Sequence, residues 1–351
     1  MKTIKKLLNG IFTTAFIVAI VMFTVTGVCI AESELKIKVS GYFAPENVMW
    51  EDFFEMPKKM IEDVTQGRAA VTVYPSNTLI APKDVYRSLE TGLVGFDLVF
   101  GPFTPGAFPV TDVFSLPGLV GNQATSNAVL NHVFDKYPVI KKQFSTKVKY
   151  IASQVHMRAD IHSREPIRTL AELKGKVIGC QNPKIAEALE KLGASVSVIK
   201  LATEAYTSLE RGVIDGVACA WGSVNVFRLY EVTKYHTLIS ICPATSHWFF
   251  SLKTWNKFTL EEQKRFESLA SWFQNRILVG NVKGSMDVRF NKATPAKGHE
   301  MIKWSDEDMI KMKKLFRPIW DKWAEEMEEK GYPGKHILRD VELLMDAYQY
   351  G

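Results

Sequence analysis

The sequence predicts an α/β protein built as two lobes, on three observations. Strands and helices alternate from Leu35 to Ala152, the alternation restarts after Pro166, and a largely helical stretch follows Thr259. Leu35–Val39 alternates apolar and polar residues, the pattern of a strand with one buried face. A loop with Pro45 follows. A helix then carries Trp50, Phe53, Phe54 and Met60 to a stop at Gly67. Ala70–Tyr74 is the next strand, Lys83–Glu90 a helix ended by Gly92, and Phe96–Phe100 a strand too apolar to have an exposed face. Val148–Ala152 adds another strand. The alternation predicts a mainly parallel sheet covered by helices.

In the second unit, Thr169 and Glu172 form a capping box for a short helix closed by Gly175. Lys176–Gly179 is a strand, Asn182-Pro183 opens a helix, and Ser195–Ile199 is the next strand. Thr203 is expected to cap a helix that Gly212 ends, and Val213–Ala218 follows as a strand. Thr259 and Glu262 make another capping box, followed by apolar residues at helical spacing from Phe266 to Leu278. No Pro interrupts this helix before Pro295. Lys303–Glu329 holds a further helical stretch, with Trp320 and Trp323 three apart.

The first thirty residues stand apart. Lys2, Lys5 and Lys6 precede an apolar run from Ile11 to Ala31, and Cys29-Ile30-Ala31 offers small side chains for cleavage after Ala31. That order is the build of a secretory signal peptide and places the chain in the periplasm; an uncleaved membrane anchor is the alternative. Lysine and arginine number 44 against 38 acidic residues, a net charge of +6, of which the three signal lysines supply half. Such a balance, with no basic tract, excludes nucleic acid as a partner. Cys180, Cys219 and Cys242 remain after the signal. An odd number cannot be fully paired, and the favoured reading is small buried hydrophobes.

Catalytic and cofactor motifs are missing. There is no HExxH, paired CxxC, P-loop, GxGxxG after a strand, or GxSxG elbow, and the seven histidines are scattered singly. No metal, no cofactor and no enzymatic activity are therefore expected.

The order of motifs resembles the DctP-type solute receptors of tripartite ATP-independent periplasmic (TRAP) transporters. Thr65-Gln66-Gly67-Arg68 with Val71–Pro75, Leu89–Gly92, Phe114–Leu119, Leu170–Gly175, Leu192-Gly193-Ala194, Glu204–Gly216 and Leu229–Tyr235 are similar to that family's segments, in order. The resemblance covers about Lys36 to Leu344. It implies a two-lobed periplasmic binding-protein fold with two mixed sheets flanked by helices. A long helix, here the one after Thr259, bridges the lobes. Residues 32–156 plus about 241–283 would form lobe I, and 157–240 plus about 284–351 lobe II. It further implies capture of a small organic solute, usually a carboxylate, and delivery to the integral membrane subunits of the transporter. A sensory binding protein and an α/β enzyme are the alternatives.

In that family an arginine on the strand after the Leu-Lys-Gly motif clamps the carboxylate; here Gly179 holds the position, with Cys180 and Gln181 beside it. A glycine leaves room and removes the charge. Arg158 matches a second arginine of the family, with an ion pair to Asp160 or Glu165 as the competing role. Cys219 and Trp221 follow the Asp-Gly strand, and Phe43, Phe103, Trp248 and Phe249 fall near cleft positions, where aromatic rings would stack on a planar, apolar or cationic solute. Tyr42 and Asn47 are candidates for polar contacts. Core packing is the competing role for Phe103 and Phe249.

Overall fold

The chain is laid out as strands whose polar groups are completed by partners far away in sequence. The computed structural model describes residues 34–349, apart from Met157. The expected signal segment lies outside the described residues, and among those described no helix is long and apolar enough to cross a membrane.

Strand β1 (Leu35–Ser40) pairs in parallel with β2 (Ala69–Tyr74) after helix α1 (Met56–Val64). Helix α2 (Val85–Thr91) leads to β3 (Phe96–Phe100), and α3 (Gln123–Lys136) precedes β4 (Val148–Val155). The chain then crosses to β5 (Ala159–Ser163) and continues through α4 (Leu170–Leu173), β6 (Val177–Cys180), α5 (Pro183–Lys191), β7 (Ser195–Val198), α6 (Ala205–Glu210), β8 (Gly216–Cys219), α7 (Trp221–Val226) and β9 (Tyr235–Ile241). It crosses back to β10 (Thr245–Ser251), followed by α8 (Leu252–Trp255), and a third time along the 28-residue helix α9 (Leu260–Asp287). Strand β11 (Glu300–Ile302) and helices α10 (Asp306–Glu329) and α11 (Gly334–Gln349) complete it.

The first lobe holds the β1–β2 pair and a sheet of order β3-β10-β4; the second holds a sheet of order β11-β9-β5-β8-β6-β7. Both lobes are mixed. The mainly parallel arrangement expected from the alternation is corrected by β10, antiparallel to β3 and β4, and by β5, antiparallel to β8 and β9. Each of these strands follows a crossing between lobes, so the helix-connected parallel rule does not govern it.

Local signals hold where their chemistry is complete. Thr259 Oγ1 accepts from Glu262 N, and Glu262 returns a bond to Thr259 N, a full capping box. Glu262 also binds Arg68 at 2.6 Å, so the family-like Thr-x-Gly-Arg turn clasps the start of the bridging helix. At Thr169 only half the box forms, because Glu172 accepts from Arg168 N instead. The cap expected at Thr203 is absent: Glu204 precedes α6 and its carboxylate accepts from Lys200 N. The C-terminal helices press on residues 109–137, with Trp320 and Trp323 donating to the Pro117 and Pro109 carbonyls and Tyr137 to Asp340.

Candidate interlobe binding site

Two strand crossings and α9 meet at the hinge, and polar side chains buried there tie them together. His156, just past β4, bonds Ser246 Oγ through Nε2 at 2.5 Å and Asn281 Oδ1 of α9 through Nδ1 at 3.1 Å. Asn281 in turn donates to Gln154 Oε1 at 3.0 Å. Burial holds the His156 imidazole neutral, down at about 4, with the Asn281 bond opposing only part of that shift. Asp52, fully buried, anchors the same helix through Arg276 at 2.7 Å and Lys283 at 3.3 Å.

Polar capacity remains unspent here. Gln154 Nε2 and Thr245 Oγ1 are buried without a hydrogen-bond partner among the described residues. Buried polar atoms are nearly always satisfied, so these two are available to a water or a solute. Thr245 Oγ1 faces Gly101, where an added Cβ would lie 2.9 Å away. Arg158, two residues beyond His156 on the crossing segment, is half-buried and has no ion pair or hydrogen bond among the described residues. Neither Asp160 nor Glu165 takes it: Asp160 accepts from Trp221 Nε1 and Ser240 N.

An aromatic wall adjoins this polar floor. Phe100 stacks on His156 at 4.5 Å, Tyr42 packs edge-on to Phe100, and Phe103 stacks on Tyr42 at 6.1 Å. Phe103 is 37% exposed, and Phe43 sits half-buried against Phe53 and Phe54. The Tyr42 hydroxyl donates to the Leu98 carbonyl; burial, then the nearby Asp97 carboxylate, pushes its pKa far above the phenolic range. Away from the hinge, loop residues 44–49 face α7 across a cleft of about 410 Å³ that Asp287 and Lys292 also line.

The remaining candidates scatter. Asn47 turns its side chain onto Met49 N, at the cleft mouth. Gln181 is exposed and accepts from Leu201 N. Cys180 and Cys219 are buried, and burial raises the Cys180 thiol to about 11 and the Cys219 thiol further. Trp248 stacks on Phe96 and Phe249 packs among Tyr86, Phe108 and Phe144, both deep in the first lobe. Trp221, the first residue of α7, is 1% exposed, its ring packed on His162 and His236 rather than on the cleft surface. Gly179 leaves no room, contrary to expectation: a Cβ there would lie 2.7 Å from Ile199 Cδ1 and 2.8 Å from Ile214 Cδ1. The hinge polar groups Gln154, His156, Thr245 and Asn281 were invisible in the sequence, since no local motif marks residues that meet only across two crossings.

The sequence profile of the bacterial extracellular solute-binding protein family 7 (DctP) matches residues 40–326. Similar solved structures share the fold. A TRAP periplasmic solute-binding protein from Desulfovibrio salexigens has a TM-score of 0.78 at 23% identity, covering 90% of this chain and 97% of that one. A marine-metagenome TRAP solute-binding protein specific for aromatic acids, from an unidentified microbe and in complex with metahydroxyphenylacetate, gives 0.75 at 21%, covering 90% and 99%. A TRAP protein of Haemophilus influenzae with bound L-gulonate gives 0.70 at 22%, covering 88% and 99%.

Proposed function

The chain belongs to the bacterial extracellular solute-binding protein family 7, and on that footing we propose that it captures a small organic carboxylate with an aromatic or apolar body between its lobes and hands it to the membrane subunits of a TRAP transporter. The observation that carries this reading is Arg158: a half-buried guanidinium without a partner among the described residues, at the hinge. A planar fork in that setting suits a carboxylate, which would accept two parallel N–H bonds. Gln154 Nε2 and Thr245 Oγ1 supply donors for further oxygens, and Tyr42, Phe100 and Phe103 offer ring faces to a planar body. The aromatic-acid ligand of the metagenomic neighbour fits the same combination.

The same groups support a receptor reading. The described cysteines are buried with thiols held protonated, and the hinge histidine is neutral and bonded on both nitrogens. Exported, periplasmic action is the reading that family membership supports.

A thermal-shift panel of benzoates, hydroxyphenylacetates, mandelates and hexuronates tests the proposal, because a ligand that binds only the folded state raises Tm by mass action. Aromatic acids should raise Tm most, and Arg158→Ala should weaken the best binder roughly 100-fold, as expected for loss of a buried charged pair. A folded protein that responds to no acid, or an Arg158→Ala variant with unchanged affinity, overturns it.

A further inference from the structure

Three histidines far apart in sequence form one buried file in the second lobe. His162 lies on β5, His236 on the adjacent β9 directly opposite it, and His299 just ahead of β11 on the far side of β9. Their nitrogens meet end to end. Lys234 Nζ lies 3.4 Å from His299 Nε2, and His299 Nδ1 is 3.0 Å from His236 Nε2. His236 Nδ1 is 2.8 Å from His162 Nδ1, and His162 Nε2 is 3.2 Å from the Cys219 carbonyl.

The two ends of this file fix its direction. A lysine ammonium only donates and a peptide carbonyl only accepts. Lys234 therefore donates to His299 Nε2, His299 Nδ1–H to His236 Nε2, His236 Nδ1–H to His162 Nδ1, and His162 Nε2–H to the carbonyl. Each ring is neutral in one assigned tautomer, with every nitrogen engaged. An added proton would put a second N–H against an N–H already pointing at the same nitrogen, so the file cannot accept one intact.

The file supports a cleft wall. The Trp221 ring packs edge-on to His162 at 4.7 Å and against His236 at 4.8 Å. Its Nε1 donates to Asp160, and the Arg289 guanidinium lies 5.3 Å from its ring centre on the side of the segment that follows α9. Trp221 opens α7, whose Gly222 and Asn225 line the cleft opposite residues 44–49. We propose that the Lys234–His299–His236–His162 file is a positioning device that holds Trp221 and α7 in place while its imidazoles are neutral and releases this wall on protonation. The proposal rests on the reading of the interlobe cleft as the capture site only for its functional consequence.

The surroundings oppose protonation. Arg289 faces His162 and His236, Lys234 faces His236 and His299, and Lys297 faces His299; among the described residues Asp160, beside His162, is the anionic neighbour pulling the other way. Burial is the larger cause on all three rings, and the cationic neighbours add to it.

The test needs no ligand, which separates its failure from failure of the capture reading. The mature chain labelled with 15N at histidine should show His236 and His299 as Nδ1–H tautomers and His162 as Nε2–H at about pH 7.5 in long-range 1H–15N spectra. Hydrogen exchange of the α7 amides, corrected for intrinsic rates, should speed up about tenfold or more relative to β4 between about pH 7.5 and pH 5. His299→Leu should produce the same loosening at neutral pH and reverse the tautomers of His236 and His162. His299→Gln, which still accepts from Lys234 and donates to His236, should change α7 exchange by less than about threefold. A His236 Nε2–H tautomer at neutral pH, or α7 protection that follows β4 on acidification, overturns the proposal; both are read on the unsubstituted protein, so a variant that fails to fold leaves the decision intact.

Discussion

At Gly179 the missing side chain has been replaced from a distance. Ile199 and Ile214, on neighbouring segments of the same lobe, put their Cδ1 atoms where a Cβ would go. A side chain at this position would have to displace the ends of both isoleucines. Gly179→Ala should cost about 1–3 kcal/mol in denaturant titrations, the range for overpacking a filled site, and Ile199→Val in the same chain should recover part of it. The sequence revealed that a cation was gone but not that its space was closed, because the closing residues lie 20 and 35 positions further on. Arg158 was singled out because it stands at a family-matched position; its lack of a partner was not legible, since that depends on Asp160 being engaged by Trp221 and Ser240. Arg158→Lys should behave more like Arg158→Ala than like the parent in calorimetric titration with the best acid, as an ammonium cannot form the two-pronged bond.

The elements most visible in sequence are those that finish their own hydrogen bonding. Helix α9 is announced by its capping box, and Thr259→Ala should lower stability by about 1 kcal/mol, measured as a shift in the urea midpoint with unchanged slope. Strand β10 gives no such notice. Thr245, Ser246, His247 and Ser251 are all buried alongside Trp248, Phe249 and Phe250, so neither face alternates toward solvent. Two of its polar residues find partners from elsewhere: His247 binds Ser153 Oγ at 2.6 Å and Thr111 Oγ1 at 3.2 Å, and Ser246 binds His156, whereas the Thr245 and Ser251 hydroxyls have none among the described residues. Alternation reads exposure, and a strand with none escapes it.

Across the whole molecule, burial of neutral histidine sets the acid limit. His156, His162 and His299 are lowered to about 4, His247 to about 3 and His236 to about 2, by desolvation first in each case. The folded values lie below the unfolded one of about 6.5, so on acidification the unfolded chain takes up protons first. No stability is lost to these groups above about pH 6.5. It drains away as pH falls from there toward the folded values, at a slope approaching about 1.4 kcal/mol per pH unit for each histidine. Urea midpoints at pH 7.5 and 5 should differ by roughly 1 M or more, with the acid sample weaker; equal midpoints would contradict the buried neutral assignment.

The threading of the chain through both lobes has a further consequence, in the order of assembly. Strand β10 lies between β3 and β4, yet it follows β4 by nearly the entire second lobe. A chain that becomes available from its N-terminus presents β3 and β4 as two facing edges with a strand-wide gap, while β5 to β9 complete their mutual pairing. Until Thr245–Ser251 arrives, those edges are open templates for any other extended segment. The second lobe is thus the natural seed, and the first lobe is finished by insertion rather than by growth at its rim.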